Sequence, residues 1–511
     1  MTSPHGPQTP PAPRAHEHPV PSAYTQSQLA SEAAGRRRRR TVLSAGLALA
    51  LVAGLAATAW LLWPTSESGQ PPKAAGNPGG LYRPATVAQP QGVEGSVAYP
   101  MYTPELPDES PLMELPGAWA KGKTFAKTTP RGIDGYQGTS PDPVWQIKTR
   151  KDICGASRDL TADGLGVILY RDNDPGPDWK LDTPPCNNIG VFDIDTGKPV
   201  WDAEFDSAAE TAKNLRYSEN LPVAVSDGVV AVPWGRGSIA YDIHSGKKVW
   251  ANSATDGCSD WAYAGGETIL ALVYCGSYEN TSTYIQAIDP HSGKREWSYG
   301  LARDINLAWV LSVDPPAIAV SAGEGAVDPT NVITIDGQGN KKSSITLPTD
   351  RYDLGCEGIG LMQPCRTAPV IDGRLYLPTM PDEDTHENSV IEFDLPTGGM
   401  KRKYDSKPGR PFYPLRRNGD DLMVYNAGMG PLRLHNIGTS VNSIESLNLD
   451  TAKTSPYMVL PYTKDSELLI NVDSDILIEG GRVYFVLPTV YAPEKDGPKF
   501  TWYGVAFEAK G

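Results

Sequence analysis

The chain has 511 residues, 40% hydrophobic and 21% charged, and its 51 glycines and 47 prolines argue against a mostly helical protein. The formal net charge of −14 disfavours a sequence-independent nucleic-acid binder, because phosphate contacts need surplus Lys and Arg. The length admits several domains or one large closed β fold.

In chain order, residues 1–40 read as a Pro-rich, disordered cytoplasmic tail that ends in the run Arg36 to Arg40. His5, His16 and His18 in this tail read as solvated side chains, not metal ligands. Residues 41–63, Thr41 to Trp63, are uncharged throughout and long enough for a transmembrane helix. The arginines just before them keep the N-terminus cytoplasmic and put the C-terminal part outside the cell, as a single-pass protein of the cell membrane. A rival reading takes Arg39-Arg40-Thr41-Val42-Leu43 as part of a twin-arginine export signal, with Ala57-Thr58-Ala59 as the cleavage site. The long segment before the apolar run, and the apolar run's continuation through Trp60 to Trp63, favour the anchor. Residues 64–142 read as a Pro/Gly-rich extracellular stalk and lead-in, and residues 143–511 as the folded domain.

All six cysteines follow the apolar segment, which suits disulfides outside the cell. Six cysteines allow fifteen pairings. Their spacing suggests sequential neighbours: Cys154 with Cys186, Cys258 with Cys275, and Cys356 with Cys365. A zinc site would want Cys-x-x-Cys pairs or nearby histidines, and the sequence has neither.

The domain repeats. Ile189 to Trp201 reads IGVFDIDTGKPVW, Ser238 to Trp250 reads SIAYDIHSGKKVW, and Ile285 to Trp297 reads IQAIDPHSGKREW. Each copy spaces Asp, Gly and Trp by four and four: Asp193, Gly197, Trp201; Asp242, Gly246, Trp250; Asp289, Gly293, Trp297. Weaker copies follow at Asp336 and Asp394. The Asp suits an Asx-turn, the Gly a positive φ, and the flanking alternation two strands of a hairpin. Another apolar strand precedes each copy, at 162–170, 226–234, 264–275, 314–323, 372–380, 419–428 and 479–489. The period of 40 to 50 residues points to an all-β propeller of seven blades, or eight if residues 81–140 hold a degenerate one. An open ring would leave costly strand edges, so Val144 to Lys148, which contains Trp145, is expected to close the last blade against Tyr503 to Phe507.

The Asp, Thr/Ser-Gly-Lys and Trp pattern resembles the repeat of quinoprotein-like propellers, the pyrroloquinoline quinone (PQQ) repeat. The resemblance covers about residues 143–511 and is strongest in three copies. It implies that Trp201, Trp250 and Trp297 dock between neighbouring blades. The family includes quinone dehydrogenases and members without cofactor. The dehydrogenases have eight blades, a disulfide between adjacent cysteines over the quinone, and a calcium held by Glu, Asn and Asp. No two cysteines adjoin here, and no Glu/Asn/Asp set can be matched by position.

The remaining candidates are weak. His244, His291, His386 and His435 are scattered, and the first two sit in repeat turns, where they read as surface residues. Asp172 to Asp178, and Asp382 to Asp384 with His386 and Glu387, are oxygen-rich loops without the spacing of a calcium loop. No catalytic, cofactor or metal residue is assigned. The expectation is a non-catalytic cell-surface binding or scaffold protein whose partner is an extracellular protein or a cell-wall ligand, with no nucleic acid and no cofactor. The alternatives are a PQQ- and Ca2+-dependent dehydrogenase, or a hydrolase or lyase acting on cell-wall or extracellular sugars.

Overall fold

The computed structural model describes residues 79–103, 112–150, 152–171, 186–205, 221–233, 237–253, 257–277, 280–323, 326–356, 365–428, 442–461, 474–491 and 501–510. The tail and the apolar segment 41–63 lie outside these residues, as do His435 and the loop Asp172 to Asp178. No helix among the described residues is long and apolar enough to cross a membrane. The chain divides into two compact units, and the larger comprises residues 70–301 and 305–511. Of the other unit, only Ala302–Asp304 fall among the described residues. The larger unit is described below.

It consists of four-stranded antiparallel units, eight among the described residues. Blade 1 is Ala118–Lys121, Thr124–Thr129, Gly132–Tyr136 and Trp145–Lys148. Blade 2 is Ile153–Ser157, Leu165–Tyr170, Asn188–Asp193 and Lys198–Glu204, and blade 3 is Leu221–Ser226, Val229–Pro233, Gly237–Asp242 and Lys248–Ser253. Blade 4 is Cys258–Gly265, Ile269–Ser277, Asn280–Ile288 and Arg295–Gly300, and blade 5 is Ile305–Ser312, Ala317–Ala322, Asn331–Ile335 and Lys341–Thr346. Blade 6 is Val370–Ile371, Arg374–Pro378, Ser389–Asp394 and Gly399–Asp405, and blade 7 is Phe412–Asn418, Asp421–Asn426, Ser443–Asn448 and Thr454–Val459. Blade 8 takes Asp475–Glu479, Arg482–Val486 and Thr501–Ala509 from the C-terminal end and Gly95–Thr103 from far upstream. Blades 2 and 3 also join by a short parallel pairing of Leu221 to Val223 with Gly155 to Ser157.

The second strand of each of blades 2 to 8 is the apolar run legible in the sequence. In blade 2 Leu165–Tyr170 is buried along its whole length, as is Val229–Pro233 in blade 3. Such strands lie between neighbouring sheets and cannot alternate with polar residues. The blades share cores around the ring. Phe192 of blade 2 packs with Ala126 of blade 1, and Tyr376 of blade 6 with Leu422 of blade 7. Tyr484 and Tyr503 of blade 8 pack with Phe125 and Tyr136 of blade 1, so the last blade meets the first. Each such side chain, fully buried, contributes roughly 1.5–3 kcal/mol relative to exposure.

Three expectations need correction. The sequence count of seven did not include blade 1, which overlaps the end of the region 81–140 where an eighth was left open and contains Trp145 in its outermost strand. Each repeat also has a fourth strand, innermost, that the three-strand pattern does not include. The ring is closed by Gly95–Thr103 paired antiparallel with Thr501–Ala509, for example Val97 with Phe507 and Pro100 with Val505. Val144 to Lys148 plays no part in that closure: Trp145–Lys148 pairs with Gly132–Gly135 inside blade 1. The stretch 64–142 assigned to a stalk and lead-in instead supplies the closing strand Gly95–Thr103 and three of the four strands of blade 1.

The connections sort by side. Tight turns join first to second and third to fourth strands on one side, here the turn side. The other connections emerge opposite, together with all three disulfides: Cys154–Cys186, Cys258–Cys275 and Cys356–Cys365, at separations of 32, 17 and 9 residues. Loop closure of this kind stabilises by on the order of 2–4 kcal/mol each.

Candidate functional site

The turn side is built from one repeated device. In blade 2 the Asp193 carboxylate accepts from the Asp195 and Thr196 amides (2.8 and 2.9 Å). Asp242 and Asp289 accept likewise from the Ser245 and Ser292 amides, 2.7 Å each, and from their hydroxyls. These bonds favour the ionised form, so the serine hydroxyls first of all hold the Asp242 and Asp289 carboxyls below the ordinary range. Four residues on, Gly197, Gly246 and Gly293 take φ of 66°, 67° and 66°, where a side chain is strained.

The glycines are also where the preceding blade docks. A Cβ on Gly197 would lie 2.2 Å from the Trp145 ring, and one on Gly246 2.8 Å from the Trp201 ring. One on Gly293 would lie 2.7 Å from the Trp250 ring, and one on Gly339 2.9 Å from Trp297. Each outer-strand tryptophan thus covers the turn of the next blade. Trp201 Nε1 donates to Ile243 O (2.6 Å) and Trp250 Nε1 to Pro290 O (2.7 Å), the carbonyl one residue past the turn aspartate. The indole of Trp145 packs the same way, but its buried Nε1 lacks an acceptor.

The repeat-turn histidines, read from sequence as surface residues, reach the preceding blade. His244 Nε2 lies 2.8 Å from Asp163 Oδ2 and His291 Nε2 lies 2.9 Å from Asp227 Oδ2. Lys121 and Asp195 form the corresponding clip between blades 1 and 2.

Between blades 6 and 7 the device is rebuilt. Asp394, Gly398 and Arg402 keep the four-and-four spacing, with arginine in the tryptophan position. The strand register agrees: Trp201, Trp250 and Trp297 lie across from Val191, Ala240 and Ala287, whereas Arg402 lies across from Glu392. Arg402 donates to Leu449 O, again one residue past the turn residue, here Asn448. The glycine position of blade 7's turn is Ala452, still at φ 56°. A Cβ there is what a docked indole excludes in blades 3 and 4, so the arginine and the alanine form a matched exchange.

A cleft of about 600 Å3 opens beside Arg402. Its lining includes Arg374, Glu392, Arg402, Tyr404, Arg417 and Asp420. The buried Glu392 accepts from Tyr404 Oη at 2.8 Å and lies 3.4 Å from Arg374, which also reaches Asp394 at 3.4 Å. Arg417 holds Asp372 at 2.7 Å, and Asp421 accepts from Ser446 and Asn448. Burial, then Glu392, pushes the Tyr376 phenol up to about 12, and burial with the Glu392 hydrogen bond raises Tyr404 further. Both tyrosines stay protonated donors at neutral pH. The walls are thus fixed charges and dipoles without a nucleophile–base pair.

The other sequence candidates separate. Asp382 accepts from the amides of Thr385 and Asp384, which hold its carboxyl low and make the loop an Asx-type turn. Among the described residues no group of three or more His, Cys, Asp or Glu is placed to hold a metal ion. The six cysteines all lie in disulfides between non-adjacent positions. None of the three is the adjacent-cysteine disulfide that the resemblance would place over a quinone. The cleft itself was missed from sequence, although Arg402 at the tryptophan position was a readable signal.

The family model described as outer membrane protein assembly factor BamB, a PQQ-repeat model, matches residues 187–412. No curated protein matches the chain. Among solved structures, BamB from Moraxella catarrhalis is similar, at 15% identity and TM-score 0.41, covering 80% of this chain and 100% of its own. A quinohemoprotein alcohol dehydrogenase from Pseudomonas putida HK5 is similar at 10% identity and TM-score 0.44, covering 84% and 78%. One from Comamonas testosteroni is similar at 11% and 0.41, covering 81% and 76%. The matched segment holds all three full copies of the Asp–Gly–Trp repeat and the whole of blades 3 and 4, and over it the chain is similar to a PQQ-repeat β-propeller.

Proposed function

We propose that this protein is a non-catalytic binding or scaffold protein, an eight-bladed propeller held outside the cell by a membrane anchor at residues 41–63. The reading is supported by one observation above the others: the blade 6–7 cleft is charged and open, whereas the four interfaces from blade 1 to blade 5 are filled by tryptophan. Its ionised groups neutralise one another at fixed positions, which suits recognition of a polar partner surface more than turnover of a substrate. The assembly role in the family model's description is a scaffold role of this kind. The partner is an extracellular protein or a cell-wall ligand.

The test uses the full chain in its native membrane, with a photo-crosslinking residue at Lys401 in the cleft lining or at Lys248 on the outer strand of blade 3. A discrete adduct from position 401 and none from 248 is the expected result. Equal labelling from both positions, or dye reduction by the purified protein after addition of PQQ and Ca2+, would overturn it.

A further inference from the structure

Residues 79–94, read from sequence as stalk, are bound along the turn side of the propeller. The Gly228 amide donates to Gly79 O (2.7 Å) and the Ala162 amide to Gly80 O (2.6 Å), in the first turns of blades 3 and 2. The Tyr82 amide donates to Leu160 O (2.8 Å). Tyr82 Oη donates to Glu479 (3.0 Å), at the inner-strand end of blade 8, and the Lys121 ammonium of blade 1 lies 6.0 Å from the ring centroid. Arg416, on the innermost strand of blade 7, donates to Pro84 O (2.6 Å), and the Gly419 amide donates to Ala85 O (2.8 Å). Seven residues thus touch blades 3, 2, 1, 8 and 7 in turn. Blades 3 and 7 are four positions apart in a ring of eight, on opposite sides of the central channel. Six residue steps, at roughly 3.3–3.6 Å each, span at most about 20 Å.

The segment is more than a loop resting on the surface. Its backbone carbonyls take the amides of three separate blade turns. Its side chains enter pairs that the mouth itself supplies: Arg83 with Asp159 at 3.0 Å, and Tyr82 with Glu479. Burial, then the Glu479 carboxylate, pushes the Tyr82 phenol up to about 12, so it remains a donor. Downstream, Tyr457 Oη donates to Ala88 O (2.7 Å), and the chain runs directly into the closing strand Gly95–Thr103.

We propose that residues 79–94 are a strap that seals the turn-side mouth of the channel, so that a partner reaches the channel interior from the disulfide side. This stands independently of the cleft reading. Two full-chain variants test it. Gly79→Val places a Cβ 2.7 Å from the Gly228 amide nitrogen, and Tyr82→Ala removes the phenol that bonds Glu479. Both leave the closing strand intact. Hydrogen exchange is read at the Ala162, Gly228 and Gly419 amides, and phenylglyoxal labelling at Arg158, which keeps accessible surface but is so enclosed by surrounding protein that burial lowers its pKa. Exchange at the three amides at least tenfold faster, several-fold faster Arg158 labelling, and unchanged exchange in Thr124–Thr129 are expected. Unchanged amide exchange would show that the strap does not bind there. Loosened amides with unchanged Arg158 labelling would show that it does not seal.

Discussion

The blade 3–4 and blade 6–7 interfaces share one backbone frame and differ in what fills it. In the first, Trp250 lies on Gly293, bonds Pro290 O and leaves no space. In the second, Arg402 makes the equivalent bond to Leu449 O, Ala452 replaces the glycine, Glu392 replaces the small cross-strand residue, and a cleft remains. The comparison teaches that a repeat can exchange packing for recognition without altering strand register. The turn bonds and the carbonyl acceptor carry the geometry, while the ring or guanidinium decides whether the gap is closed.

The largest expected effect breaks the packed side of the comparison. Trp250→Ala should cost about 3–5 kcal/mol, read as a lower urea midpoint, because the buried indole leaves a cavity. A change below about 1 kcal/mol would mean that the tryptophan does not hold these blades together. Converting the open interface to the packed type, with Arg402→Trp, Glu392→Ala and Ala452→Gly together, should stabilise by about 1–3 kcal/mol and abolish crosslinking from position 401. Arg402→Trp alone should not achieve this, because the Ala452 Cβ stands where the ring would lie.

Gly293→Ala should cost about 1–3 kcal/mol through its positive φ and the clash with Trp250, whereas Ala452→Gly should change stability by less than about 1 kcal/mol. Thermal melts of the two variants side by side decide whether the exchange is matched. Arg402→Ala should cost no more than about 1 kcal/mol, since the side chain is half exposed and its pairing with Asp450 is a loose 4.0 Å, yet should weaken partner crosslinking.

The smallest expected effect is on acid stability. Asp242 and Asp289 have carboxyls below the ordinary value of 3.8. Their contribution is fully present above that value and is lost as pH falls through the lower folded-state values. Ser292→Ala should therefore raise the onset of acid unfolding slightly, and an unchanged onset would assign the depression to other contacts.

Legibility in the sequence followed the range of the interactions. The Asp–Gly–Trp spacing lies within nine residues, so its hairpin could be read directly, and the apolar second strands showed as unbroken runs because both faces are buried. The innermost strand of blade 6 is only Val370–Ile371, too short to carry a pattern. Gly95–Thr103 carries Pro100 in a Pro- and Gly-rich context, and its partner lies about 400 residues away. Hence it read as stalk, and the closure was assigned to the wrong strand.

The sequence alone determined the propeller repeat, the turn chemistry and the suggestion of sequential disulfides, because each depends on residues near one another in the chain. Tertiary structure alone decided which strand closes the ring, that residues 79–94 bond to its turn side, and that Arg402 and Glu392 line one cleft. These groups come together through contacts between blades, where distant residues compete for the same strand edge or the same volume, and no local pattern encodes which of them fills it.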